Sequence, residues 1–272
     1  MADILVMAAF LSFGVFLLSS RYRNPAALAG WCSIVLNLWL ELPAFLSEHN
    51  FLYPLLALLA LPFLLITMDR LLHSDPFVLR LSRTAAIATL IWVPFALVPL
   101  LGNGLIALAI SLVLPIISAF GHHPQLFAWD VIAENGFYNQ IILSCTGILA
   151  VAMMLGVVFG ETGLTSRQAV VAFLLVAPLL LLLNLFRVAV VFIAVTDQWF
   201  AVFPDPTGTG DANFFWAHNV IAEGLALGFL LMLIWLLARF IPSLEMSVSG
   251  IISVYRNALL HFVRKGFVKN DP

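Results

Sequence analysis

Charge is what this 272-residue chain has least of. It carries 12 Lys and Arg against 14 Asp and Glu, or 10% of its residues, where soluble domains hold about a quarter. With 63% hydrophobic residues and a mean hydropathy of +1.09, it fits no water-soluble fold. A net charge of −2 leaves no basic surface for nucleic acid. Two cysteines and six scattered histidines give neither a disulfide framework nor a zinc-finger spacing. Lysine is confined to Lys265 and Lys269, which excludes a retinal-type protein with a lysine inside a span. The first apolar stretch has no basic start and no A-x-A site, so a retained helix is expected rather than a signal peptide. No internal repeat, low-complexity tract or heptad array is visible.

What is present is apolar length. Hydrophobic stretches cover 4–18, 27–46, 51–68, 85–120, 141–159, 169–195 and 215–240. A spanning helix needs about 20 such residues, and in hydrocarbon each backbone group must be satisfied within its own segment. Every stretch therefore reads as helix. The fold class expected is all-α: a polytopic integral membrane helical bundle of seven to eight transmembrane helices over residues 1–241. A basic amphipathic tail over 242–272 is expected to lie on the anionic cytoplasmic leaflet. The stretch 85–120 exceeds one span and is broken by Pro94, Pro99, Gly102, Gly104 and Pro115. Crossing once, it gives seven spans with all basic loops inside; crossing twice, it gives eight, with five arginines on the other face. The last three crossings keep one orientation either way. Their outer loops, 121–140 and 196–214, hold no Lys or Arg but contain Asp130, Glu134, Asp197, Asp205 and Asp211. The C-terminus is expected in the cytoplasm.

Ionisable groups inside spans are costly and mark functional sites by default. Arg187 lies deep in Leu-Asn184-Leu-Phe-Arg187-Val, with Asn184 three residues earlier on the same helix face. Cys145 sits in Ser144-Cys145-Thr146-Gly147, and His218 heads the last span. At 1.5 Å of rise per residue, helices through these positions put Cys145 roughly 9 Å, Arg187 roughly 12 Å and His218 about 5 Å below the outer surface. All three fall in the outer half of the bilayer. A thiol nucleophile needs a proton acceptor and a group to hold the charge that develops on an attacked carbonyl; His218 and Arg187 supply them. Taken singly, each has a plainer reading: Arg187 pairs with a buried carboxylate, Cys145 is an inert small hydrophobe, and His218 belongs to the aromatic belt beside Trp216. Glu41, Glu134 and Asn219 are the candidates to orient His218, while Glu223 points elsewhere on the helix.

His122 and His123 with Asp130 and Glu134 form no H-E-x-x-H pattern, so no metal and no cofactor is expected. Cys32, near the inner end of its helix in the seven-span arrangement, is too far from Cys145 for a disulfide. The Pro/Gly-rich loop over 203–210 has no Lys and is no phosphate cradle; it suits a cover over a substrate entrance. A transporter or channel, with Arg187 binding an anionic solute and Asn184, Glu41 and Glu223 lining the path, is the competing class.

The ordered set Ser144-Cys145-Thr146-Gly147, Asn184-x-x-Arg187 and Ala217-His218-Asn219, over roughly 137–240, resembles the exosortase/archaeosortase family. The Cys145-Thr146-Gly147 form and the segment from His218 to Ala222 are more similar to its archaeal branch. The resemblance implies a membrane cysteine protease/transpeptidase working at the outer face. Its substrates would be surface proteins whose C-terminal sorting tail combines a short motif, a hydrophobic helix and a basic cluster. Transfer of the new C-terminus to a membrane lipid is implied for that branch. The roles implied are Cys145 as nucleophile, Arg187 as oxyanion or thiolate stabiliser and His218 as acid/base, with Asn184, Gly147, Asn219 and Glu134 in support.

Overall fold

The computed structural model describes residues 2–47, 52–206, 208 and 212–268, the side chains of Ala2 and of 262–268 excepted. Asp211 and Lys269 lie outside the described residues. The elements are α1 (Ala2–Leu18), α2 (Arg23–Leu40), α3 (Leu42–Ser47), α4 (Leu52–Leu72), α5 (Pro76–Leu97) and α6 (Pro99–Ala119). Strands β1 (Gln125–Ala128), β2 (Val131–Glu134) and β3 (Phe137–Gln140) follow, then a 3-10 turn (Leu143–Thr146) and α7 (Ile148–Phe159). The chain continues through α8 (Ser166–Thr196), the short α9 (Ala212–Phe214), a π-helix (Phe215–Ala222), α10 (Glu223–Phe240) and α11 (Pro242–Val268). Among the described residues six helical segments are long and apolar enough to cross a membrane, and α1 and α7 are shorter apolar helices. The chain is an all-α polytopic membrane protein.

One alternative is decided and two expectations change. Of the two readings of the broken stretch 85–120, the structure has the one with two helices, α5 and α6, and α5 starts earlier, at Pro76. Pro99 has no N–H to continue α5 and disfavours the helical region for its predecessor, so Val98 turns extended (φ −103°, ψ 104°) and Pro99 opens α6. The loop 121–140 folds into an antiparallel sheet in the order β1-β2-β3. Asn135 and Gly136 both take positive φ, 52° and 83°, the signature of the two-residue turn whose twist suits a hairpin. The stretch 141–159 is helical throughout only from Ile148; its first residues run extended into a 3-10 turn.

The chain divides into two compact units. One comprises Met1–Leu90, Leu155–Ala169 and Trp235–Pro272. Its core gathers Phe13, Ala27, Trp31, Leu71, Val78 and Ala86. Trp31 meets Phe13 edge-on at 5.8 Å and donates its indole N–H to Ser82 Oγ at 2.9 Å, so its polar atom is satisfied inside. Gly156 and Gly160 lie four apart, and a Cβ on either would strike Thr84. Small residues at that spacing let one backbone seat closely on another where lipid gives no hydrophobic drive. In the same unit α11 is docked. Tyr255 stacks on Phe63 at 5.2 Å and shares a 2.6 Å hydrogen bond with Thr67, and Arg80 Nη1 donates to Ser247 Oγ at 2.9 Å. The tail therefore uses Tyr255 and the buried Leu244, Ser247 and Ala258 against protein, which the leaflet-bound expectation did not contain.

The other unit comprises Ile91–Met154 and Val170–Ile234. Ile106, Ile110, Val113 and Ile117 recur at helical spacing along α6 and pack with Ile132, Ile141, Val188, Ala189, Phe192 and Ile193. Ile132 of β2 is fully buried there, and Phe137 of β3 reaches the Phe192 ring at 5.6 Å. The sheet is thus rooted on the helix that carries Asn184 and Arg187.

Candidate active site

Cys145 lies on the 3-10 turn rather than inside a helix. β3 leaves the sheet through Ile141, whose N–H still bonds Asp130 O at 2.7 Å, and the chain then closes with Cys145 N–H donating to Ile142 O at 2.9 Å. Thr146 Oγ1 donates to Leu143 O at 2.7 Å. Gly147 then adopts φ +79° and releases the chain into α7. It is needed twice over: an L side chain rarely takes that conformation, and a Cβ there would sit 2.9 Å from Asn184 Cβ and Cγ. Cys145 is half-buried, with a free thiol.

α8 supplies the next two groups from one face. Asn184 Nδ2 donates to the Cys145 carbonyl, and Arg187 Nη1 donates to Asn184 Oδ1 at 3.4 Å. Arg187 Nη2 lies 3.1 Å from His218 Nε2, and His218 Nδ1 lies 2.9 Å from Asn219 Oδ1. A guanidinium can only donate, so Nε2 is the nitrogen with the lone pair. Nδ1 therefore carries the proton of the neutral ring and donates it to Asn219. One hydrogen-bonded chain thus runs from Cys145 through Asn184, Arg187 and His218 to Asn219. Arg187 Nε is buried and has no hydrogen-bond partner among the described residues. A charged donor left open and shielded from water is costly, and it is ready for an oxygen acceptor.

The sequence is 25% identical to archaeosortase A of Haloferax volcanii over 248 residues, covering 79% of this chain and 80% of that protein. The match supports membership of the archaeosortase/exosortase family. No family model and no solved structure matches the chain.

In this archaeosortase-like chain the histidine is presented by a π-helix, Phe215–Ala222, between α9 and α10. Such i→i+5 turns are rare and recur at functional sites, because the extra residue re-aims side chains. Phe214 stacks on the imidazole, centroids 4.9 Å apart and planes within 10°. No periodicity in the sequence marks the π-turn or this stack. Of the three candidates to orient His218, Asn219 holds its Nδ1. Glu134 is engaged elsewhere: its Oε2 lies 3.4 Å from His122 Nδ1 and its Oε1 accepts the His123 N–H at 2.9 Å. Asp197, at the end of α8, lies 3.5 Å from the other nitrogen of His122. His122 thus lies between a carboxylate of the sheet and one just past the end of α8. Among the described residues no cluster of His, Cys, Asp or Glu is arranged to hold a metal.

The loop after α8 is tied back on the start of the last span. Phe200 N–H donates to Asn213 Oδ1 at 2.7 Å and Trp216 Nε1 donates to Pro204 O at 2.9 Å. Parts of the turn-rich loop expected to cover an entrance, Thr207, Thr209 and Gly210, lie outside the described residues.

Proposed function

We propose that this chain is a membrane cysteine transpeptidase or protease that removes the C-terminal sorting tail of surface proteins at the outer membrane face. The observation that carries the reading is the guanidinium of Arg187, which braces Asn184 and His218 while its own Nε stays open. Similarity to archaeosortase A supports a protein-sorting enzyme of the membrane.

The chemistry follows from the hydrogen bonds. At rest the lone pair of His218 is occupied by an Arg187 N–H. A substrate carbonyl oxygen that accepts from Arg187 draws the guanidinium away and frees Nε2 to take the Cys145 thiol proton. The sulfur attacks the carbonyl carbon, and Arg187 holds the oxyanion. The C–N bond then breaks, the proton passes from His218 to the departing amine, and a thioester remains on Cys145. Water or the nucleophilic headgroup of a membrane lipid attacks the thioester, gives its proton to His218, and forms the new acyl bond as the sulfur leaves and is reprotonated.

The test is the intact mass of a co-expressed candidate substrate, one bearing a C-terminal hydrophobic helix and basic cluster. With the native enzyme its mass should fall by the tail, plus the mass of any acceptor. With Cys145→Ala the full-length mass should persist while the enzyme still accumulates in the membrane. Processing at the normal rate by Cys145→Ala would end the reading.

A further inference from the structure

The three-stranded sheet has two edges, and they differ. Pairing of β1 with β2 slips at a bulge between Leu126 and Ala128, the kind of irregularity that discourages further pairing. Pairing of β2 with β3 is regular, from Val131↔Gln140 to Glu134↔Phe137. Neither Pro nor Lys blunts β3. In an antiparallel ladder, alternate residues turn their N–H and C=O toward the partner and away from it. The bond from Ile141 N to Asp130 O sets the phase: Asn139 and Phe137 face β2, and Tyr138 and Gln140 face outward. Among the described residues nothing pairs with the outward backbone groups of these two. Both side chains are exposed, Tyr138 to 57%. Three residues past Gln140, at Leu143, the chain enters the turn that holds Cys145.

We propose that the outer edge of β3 binds the substrate as an added strand: the extended segment preceding its hydrophobic helix pairs with Tyr138 and Gln140 and is delivered to Cys145. Backbone hydrogen bonds supply affinity in this mode, and pockets for alternate side chains supply selectivity. Phe137 is anchored on Phe192 of α8, so the docking edge and Arg187 share one rigid support. Phe127 lies edge-on to Tyr138 at 4.9 Å and gives the exposed face an aromatic wall for every second substrate side chain. This inference rests on the cysteine-enzyme reading above.

The test uses the co-expressed substrate whose mass change depends on Cys145. Tyr138→Pro and Gln140→Pro each delete one outward N–H and no backbone bond to β2; Gln140→Pro also removes the 2.8 Å bond from Gln140 Nε2 to Asp130 Oδ2, which Gln140→Ala removes alone. Each proline should lower kcat/KM at least tenfold, chiefly through KM, while iodoacetamide still alkylates Cys145 at the native rate. A proline scan through the substrate segment should show losses at every second position. Native kcat/KM in both enzyme variants, or scan losses without that alternation, would overturn the docking strand. If the enzyme variants fail to accumulate, the substrate scan alone decides. Should Cys145→Ala process normally, or no candidate substrate be processed, the enzymatic reading falls and this one with it; a Cys145-dependent reaction indifferent to the prolines removes only the strand.

Discussion

Arg187 does three things that a lysine cannot do together: it donates to Asn184, it donates to His218, and it keeps a third N–H in reserve. A lysine is a point charge on a flexible stem and cannot span both partners in one plane. Arg187→Lys is expected to cut kcat for tail removal about 100-fold, within the range for loss of one oxyanion donor, with normal accumulation of the enzyme. Single-turnover rates on the co-expressed substrate check this; an unchanged rate would show that the planar fork is not used. In the proposed mechanism Asn219 acts one step back, by fixing the ring tautomer through Nδ1. Asn219→Ala frees that nitrogen, so the pH profile of kcat should move as well as its height. A purely structural residue would lower activity without moving the profile.

Elements explain which parts of the site were readable beforehand. Asn184 and Arg187 share a face because α8 is regular where they sit, and spacing three apart is enough to say so. Cys145 and His218 sit on departures from the α-helix, one a 3-10 turn and one a π-helix, and window-averaged hydropathy is blind to both because each short polar patch lies within a longer apolar stretch. The depth assigned to Cys145 assumed a helix that Gly147 interrupts. Part of the hairpin is legible in Asn135-Gly136, a pair suited to a two-residue turn, but the runs beside it, Val131–Glu134 and Phe137–Gln140, lack the apolar-polar alternation that marks strands. Gly147 offers the sharpest element-level prediction. Gly147→Ala forces a β-carbon onto Asn184 and a left-handed φ on alanine, which costs about 1–2 kcal/mol. A lowered melting temperature together with lost processing is the expected outcome; retention of both would mean that the turn and α8 can move apart.

At the scale of the whole molecule, α11 is held by specific contacts in its own unit. Burial raises the Tyr255 phenol to about 12, with the Thr67 hydrogen bond opposing. Because that value lies above the ordinary one of about 10, the contribution to stability is complete below pH ~10 and is lost as the pH climbs toward 12. Tyr255→Phe should remove that alkaline loss and, at neutral pH, lower stability by about 1 kcal/mol for the missing hydrogen bond, read as a melting-temperature shift in detergent. α7 carries a last consequence. Its 12 residues measure about 18 Å, against about 30 Å of hydrocarbon. Irregular backbone at such a depth survives only beside protein or water. A crossing by α7 requires the bilayer to thin beside it or protein to cover its ends, so vesicles of long-chain phosphatidylcholine are expected to slow tail removal where short-chain ones do not.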